Sequence, residues 1–223
     1  KNEQKDQSYF LWELTQAQLS RALFPLGEMS KPEARDAARQ HGLIGVSEKK
    51  ESQEICFVPD GDYAGFIDRY LEAEGARDRL PPSGEIVDEN GAILGMHSGI
   101  HRYTIGQRRG IGIAKERPLY VLGIDAAKNQ VMVGEQQELL SREFVAAGVN
   151  WIAYDDPANP IQAKVRIRYR HNEAPATITP LGNNRVRVNF DTPQRAITPG
   201  QATVFYEGDE VIGGGWIVKS RRQ

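Results

Sequence analysis

From Phe144 onward, apolar and polar residues alternate in short runs, at 144–151, 162–170, 176–181, 185–190, 202–206 and 211–218. A period of two is the signature of half-buried strands. Turn sequences separate several of the runs: Gly182-Asn183-Asn184, Thr198-Pro199-Gly200 and Glu207-Gly208-Asp209. Six closely spaced strands predict a small closed barrel, which leaves no strand edge open. In Lys164-Val165-Arg166-Ile167-Arg168-Tyr169-Arg170 the four basic residues alternate with apolar ones and so share one face. Arg185 and Arg187 repeat the pattern on a later strand, and together they predict a basic face on the barrel.

The first part of the chain has a different period. Leu11, Leu14, Gln18 and Ala22, with Trp12, Leu19 and Leu23 beside them, predict a helix over 9–24, stopped by Phe24-Pro25-Leu26-Gly27. A second helix starts at Ser30, whose partner Glu33 completes a capping-box pattern, and runs to His41, with Gly42 as its left-handed terminator. Both lead into an extended run, Ser52-Gln53-Glu54-Ile55-Cys56-Phe57-Val58, before a Pro59-Asp60-Gly61-Asp62 turn. This layout is that of the closing part of an α/β domain. Asp62 caps a third predicted helix carrying Tyr63, Phe66, Ile67, Tyr70 and Leu71, ended by Gly75. Beyond Pro81-Pro82-Ser83-Gly84, the runs 85–88 and 92–95 flank Asn90-Gly91, a two-residue hairpin signal, and 119–125 with 130–133 predict another hairpin. Residues 63–135 therefore read as a small α+β unit.

Composition narrows the class. Of 223 residues, 39% are hydrophobic and 26% charged, which suits a globular chain. A single cysteine makes no internal disulfide, and no run of eighteen apolar residues is present, so a cytoplasmic protein without a membrane segment is expected. The chain opens on Lys1 rather than Met, in keeping with the tail of a longer protein. The net charge of −2 argues against a generally basic nucleic-acid binder, but residues 164–223 carry ten basic and five acidic side chains. Such a concentration fits either a polyanion-facing surface or a solvated sheet face.

The chemistry available centres on Cys56, placed at the end of an extended run after Lys49 and Lys50. A lone Cys is as a rule a small buried hydrophobe, whereas an accessible thiolate near a lysine serves as an acyl acceptor or a sulfur carrier. The glycine-rich Gly106-Gln107-Arg108-Arg109-Gly110-Ile111-Gly112-Ile113 matches neither a dinucleotide fingerprint nor a P-loop, and reads as a tight connection on the sheet. Arg108 and Arg109 are basic enough to meet a nucleic-acid backbone. His97 and His101 are four apart, but Gly99 between them spoils helical ligand spacing, and no metal site is expected. Trp12, Trp151 and Trp216 are scattered and read as core or sheet anchors.

Seven ordered motifs span the chain: Lys5-Asp6-Gln7-Ser8-Tyr9-Phe10-Leu11, Phe24-Pro25-Leu26-Gly27, Ser52-Gln53-Glu54-Ile55-Cys56-Phe57, Tyr103-Thr104-Ile105-Gly106-Gln107-Arg108, Arg168-Tyr169-Arg170, Thr198-Pro199-Gly200-Gln201 and Gly213-Gly214-Gly215. In this order they resemble the bacterial tRNA-specific 2-thiouridylases. The resemblance implies an α+β, multidomain chain: the end of a PP-loop (adenine nucleotide α-hydrolase-like) catalytic domain at 1–62, a central domain at 63–136, and a tRNA-binding β-barrel at 137–223. The family's Ser-Gly-Gly-Val-Asp-Ser pyrophosphate loop, its first catalytic Cys and a nearby acidic residue have no counterpart here, so this portion is expected to be inactive by itself.

The resemblance further implies ATP, with Mg2+, bound by the N-terminal part, and adenylation of the C2 oxygen of the wobble uridine (position 34) in tRNAs for Lys, Glu and Gln. It implies that Cys56 carries persulfide sulfur delivered by a cysteine desulfurase or a sulfur-relay protein. That sulfur attacks C2 directly, or leaves as sulfide once the partner Cys closes a disulfide. Lys5, Asp6 and Gln7, Arg168 and Tyr169, and Gln201 match the family's tRNA-contacting positions. Two other readings stay open: a non-catalytic tRNA-binding module of a larger RNA-modifying protein, and an unrelated thiol enzyme.

Overall fold

The computed structural model describes residues 6–48, 58 and 61–221. Lys5, Cys56 and the extended run predicted around it lie outside the described residues, apart from Val58, which is buried.

The alternating half of the chain closes as predicted. β5 (Leu140–Trp151), β6 (Ile161–Arg166), β7 (Ala174–Gly182), β8 (Arg185–Arg195), β9 (Ala202–Glu207) and β10 (Glu210–Arg221) form a six-stranded barrel in the order β10-β5-β8-β7-β6-β9. Every neighbouring pair is antiparallel. Inward positions supply the core: Phe144, Val165, Ile178, Val188, Phe190, Phe205 and Ile217 are all at most 1% exposed. Full closure removes the edges that would otherwise template aggregation.

β9 departs from the half-buried pattern, because Thr203, Val204, Phe205 and Tyr206 are buried in succession. Phe205 fills the barrel, whereas Val204 and Tyr206 belong to an outer cluster with Tyr9 and Trp12. A strand buried on both faces needs a cover on the outside, and here the cover is the N-terminal segment.

That segment is not the helix expected over 9–24. It holds a 3-10 turn at Ser8–Phe10 and a four-residue helix α1 (Gln16–Leu19). Two contacts break the longer helix. The Asn150 side-chain amide donates to the carbonyl oxygens of Trp12 (2.7 Å) and Leu14 (3.1 Å). Thr15 is extended at ψ 161° and caps α1 in a reciprocal pair with Gln18. The apolar spacing was real, but Tyr9 and Trp12 spend it on the barrel wall rather than on a helical stripe. Trp12 fits because Gly214 has no side chain: a Cβ there would stand 2.7 Å from the indole and 2.8 Å from the Thr203 carbonyl.

The other two expected helices are present. α2 (Lys31–Gln40) is preceded by Ser30, whose N–H donates to the Glu33 carboxylate at 2.6 Å, and Gly42 follows at φ 73°. After the short α3 (Ile44–Ser47), α4 (Tyr63–Ala73) is capped by the Asp62 carboxylate, which accepts from the Gly65 N–H at 2.9 Å. Among the described residues, no helix is long and apolar enough to cross a membrane.

Between helices and barrel lies a four-stranded sheet of order β2-β1-β4-β3. Hairpins β1 (Gly84–Val87)/β2 (Ile93–His97) and β3 (Tyr120–Asp125)/β4 (Gln130–Gly134) join through a parallel β1/β4 pair. The Asn90-Gly91 connection is longer than the two-residue turn expected. Asp88 accepts from the Asn90 and Ala92 N–H groups, Gly91 takes φ 82°, and the register shifts after Ile86. The connection at 106–113 packs on the sheet as expected: the Gly106 N–H donates to Val121 O, the Val121 N–H donates to Gln107 O, and Ile111 is buried.

Candidate nucleic-acid interface

Segment 6–16 is laced to the barrel along its whole length. The Asp6 carboxylate accepts from the Ser8 N–H (2.8 Å) and hydroxyl (2.7 Å) and lies 3.5 Å from the Arg166 guanidinium. Arg166 also pairs with Glu173 at 2.7 Å and lies 4.9 Å over the Tyr206 ring. Tyr9 donates its hydroxyl to Ala202 O at 2.8 Å. Burial, with Tyr206 beside it, pushes the Tyr9 phenol up to about 12, so it remains a neutral donor. Burial raises Tyr206 too, against the hydrogen bond from Ser8.

The basic face predicted along 164–170 is therefore split. β6 ends at Arg166 and residues 167–170 form an irregular bend, with Ile167 still buried in the barrel core. Lys164 and Arg166 share the outer face of the strand, but Glu173 approaches both and Asp6 neutralises Arg166 further. Arg168 and Arg170 lie in the bend, outside the regular alternation. Arg168 donates to the Arg195 carbonyl at 3.2 Å and has no carboxylate partner among the described residues. Half-burial and then the charge of Arg195 pull its pKa below the ordinary arginine value, although a guanidinium stays charged at any physiological pH.

Around this bend the remaining site residues collect. Tyr169, 38% exposed, packs on Phe10 with ring centroids 4.8 Å apart and planes tilted by 35°, and Tyr9 lies against both rings. Gln201 is exposed in the turn before β9, held by its backbone: its N–H donates to Thr198 O and its carbonyl accepts from Ile217 N. It borders a hollow of about 250 Å3 whose walls are Tyr9, Phe10, Trp12 and Trp216, with Glu13 at the rim. Trp216 meets Trp12 edge to face at 5.6 Å. Gln7 is exposed at the start of the 3-10 turn, and its carbonyl accepts from the Phe10 N–H.

Asp6, Gln7, Arg168, Tyr169 and Gln201 are thus brought to one region, although nearly two hundred residues separate the first from the last. Asp6 is the exception in kind, because its carboxylate is used internally. Sequence reasoning missed Phe10 and Trp216 as site-lining aromatics and Arg166 as the seam's ion-pair centre. The signal for such a seam was the unbroken buried run at 203–206.

The two histidines do other work. His97 is buried, accepts from the Gly99 N–H through Nδ1, and reaches Asn129 O through Nε2. His101 Nε2 meets Asp68, which also binds Arg102. Burial alone would raise the Asp68 carboxyl, but the hydrogen bonds and charges of His101 and Arg102 hold it below its ordinary value. Among the described residues no three potential ligands gather at one point.

A helical N-terminal segment, a small mixed sheet and a closed barrel carrying a basic, aromatic rim define a multidomain α+β architecture. Three family models match the chain in succession: a tRNA methyl transferase HUP domain over 1–60, a tRNA methyl transferase PRC-barrel domain over 66–135, and an aminomethyltransferase beta-barrel domain over 141–217. Proteins named tRNA-specific 2-thiouridylase MnmA are similar throughout. That of Syntrophotalea carbinolica is 56% identical over 97% of this chain and 59% of its own length. That of Koribacter versatilis is 54% identical over 96% and 57%, and that of Geobacter metallireducens 54% over 96% and 56%. The chain belongs to this tRNA 2-thiouridylase family. It spans less than three fifths of the length of these relatives.

Proposed function

We propose that this chain is the tRNA-engaging and sulfur-carrying part of a cytoplasmic sulfurtransferase that converts the wobble uridine of tRNA to 2-thiouridine. The observation that carries the reading is the convergence of Arg168, Tyr169, Gln201 and the 6–10 segment on one open surface. Such a surface suits RNA, whose unstacked bases pair with aromatic faces and whose phosphates pair with arginine. The division into units at 1–62, 63–136 and 137–223 goes with this reading, since β1–β4 lie within the second and β5–β10 within the third.

Within the reaction, Cys56 carries the persulfide; its terminal sulfur bonds to C2 of the base as the activated C2 oxygen leaves with AMP, and the thiol of the family's partner Cys breaks the S–S bond by closing a disulfide with Cys56. ATP with Mg2+ supplies activation of the C2 oxygen as a leaving group. The described residues offer no phosphate loop for it: in the glycine-rich 106–113 connection the Gly106 and Gln107 N–H groups are committed to Val121 O and Thr104 O. We assign the nucleotide to the N-terminal part of the full-length protein, as the family resemblance implies, and no step through it is assigned to this chain. A cysteine desulfurase or sulfur-relay protein supplies the sulfur, and tRNAs for Lys, Glu and Gln are the substrates. This chain's own contribution is to grip the anticodon arm between bend and hollow while presenting the thiol.

The reading is tested in full-length protein supplied with ATP, a persulfide donor and tRNA. Cys56→Ser is expected to abolish 2-thiouridine formation while leaving tRNA affinity unchanged. Normal product from that variant would remove Cys56 from the reaction.

A further inference from the structure

Phe10 and Trp216, 58% and 44% exposed, both line one concavity. The hollow between them is floored by Trp12, itself seated on the bare backbone of Gly214 and fixed through the Asn150 bond to its carbonyl. It is thus a preformed recess on a rigid barrel wall rather than a gap between loose chains. Its volume of about 250 Å3 falls below the roughly 300–1,000 Å3 that suits drug-sized ligands, and matches a single planar heterocycle.

The polar groups at its edge are sparse and specific. The Gln201 side-chain amide has no hydrogen-bond partner among the described residues and offers both donors and an acceptor, as a base edge requires. Glu13 contributes a carboxylate, which repels phosphate and accepts from amino or imino groups. Positive charge lies to the side instead, at Arg168 beside Tyr9 and at Arg195 beyond it. A phosphate is thus disfavoured inside the hollow and favoured next to it, which is the charge pattern of one nucleotide bound base-first.

We infer that this hollow holds one unstacked nucleobase of the bound RNA, stacked against Phe10 and Trp216 and hydrogen-bonded at its edge by Gln201, with its backbone toward Arg168. This subsite rests on the tRNA reading above and adds a base-recognition pocket on the barrel. The base meant is one of the RNA other than the uridine that reacts.

Stacking and phosphate contacts respond differently to salt. Losing a stacked base costs on the order of tenfold in affinity without changing counterion release, whereas losing a phosphate contact lowers the slope of log affinity against log salt by about one. In full-length protein titrated with substrate tRNA over a salt series, Phe10→Leu and Trp216→Leu are each expected to weaken binding about tenfold at unchanged slope. Trp216→Phe should restore most of the affinity. Gln201→Ala, a surface change that leaves the barrel intact, is expected to weaken binding about fivefold, again at unchanged slope. Wild-type affinity in all of these variants, or a loss accompanied by a lower slope, overturns the subsite. Arg168→Ala separates the two levels. If it lowers the slope while the Leu variants bind normally, the hollow alone is wrong. If it too leaves binding untouched, the tRNA reading fails and the subsite with it.

Discussion

Arg166 and Arg168 stand two residues apart and meet opposite surroundings. Arg166 lies inside the seam between the N-terminal segment and the barrel, between Asp6 and Glu173 and over the Tyr206 ring. Arg168 stands at the rim of the same seam, bonded among the described residues only to a backbone carbonyl. A guanidinium hemmed in by two carboxylates is spent on holding segments together, while one without a counter-charge remains able to attract a phosphate. The seam thus separates an arginine held by carboxylates from one that meets none among the described residues, two positions apart, a distinction that sequence alternation alone does not make.

The contrast is broken most severely from the inside. Arg166→Met leaves Asp6 and Glu173 without their common partner in a largely enclosed site. It is expected to cost about 2–3 kcal/mol of stability in chemical unfolding, somewhat below the figure for a wholly buried pair because the side chains retain some solvent contact. Gly214→Ala attacks the seam through packing. The added Cβ meets the Trp12 ring and the Thr203 carbonyl, and a loss of about 1–3 kcal/mol is expected, read as a lowered denaturant midpoint. At the rim the stability effects are smaller. Arg168→Ala should change stability by less than about 1 kcal/mol, because it removes one bond to a carbonyl and no ion pair.

A subtler difference appears with pH. His171 is packed beneath this bend, donating through Nε2 to Gln194, whose own amide is committed to Thr192. Burial pulls its pKa below the ordinary histidine value, Gln194 opposes the shift, and Arg168 and Arg166 add to it. Because the folded form binds the proton less readily than the unfolded chain, stability is full above about pH 6.5 and declines as pH falls below it. Thermal midpoints measured from pH 7.5 to 5 should fall for the wild type and fall less for His171→Gln. An identical pH dependence in both would show that this histidine is not perturbed.

The parts of the molecule legible in sequence are those governed by local pattern. Alternation found all six barrel strands, and capping residues found α2 and α4, because strand faces and helix ends are set by nearest neighbours. The seam was illegible for the opposite reason. Its bonds join Trp12 to Asn150, Tyr9 to Ala202 and Asp6 to Arg166, and no local rule reports such distances. Local pattern even misled there, as helical spacing over 9–24 gave way to a strap shaped by the barrel wall. Alternation through Arg170 likewise continued past the point where β6 ends. Of the residues matched to tRNA contacts, only Arg168 and Tyr169, in the basic alternation of 164–170, stood out from their own pattern. Lys5, Asp6, Gln7 and Gln201 became visible through resemblance alone, since an isolated polar residue carries no periodic signal.

The rim's role in RNA binding is tested most directly by the salt dependence of tRNA affinity in full-length protein carrying Arg168→Ala. The account predicts weaker binding and a slope of log affinity against log salt reduced by about one, the mark of a single lost phosphate contact. Weakened binding with an unchanged slope, or no change at all, would contradict the assignment of this arginine to the RNA backbone.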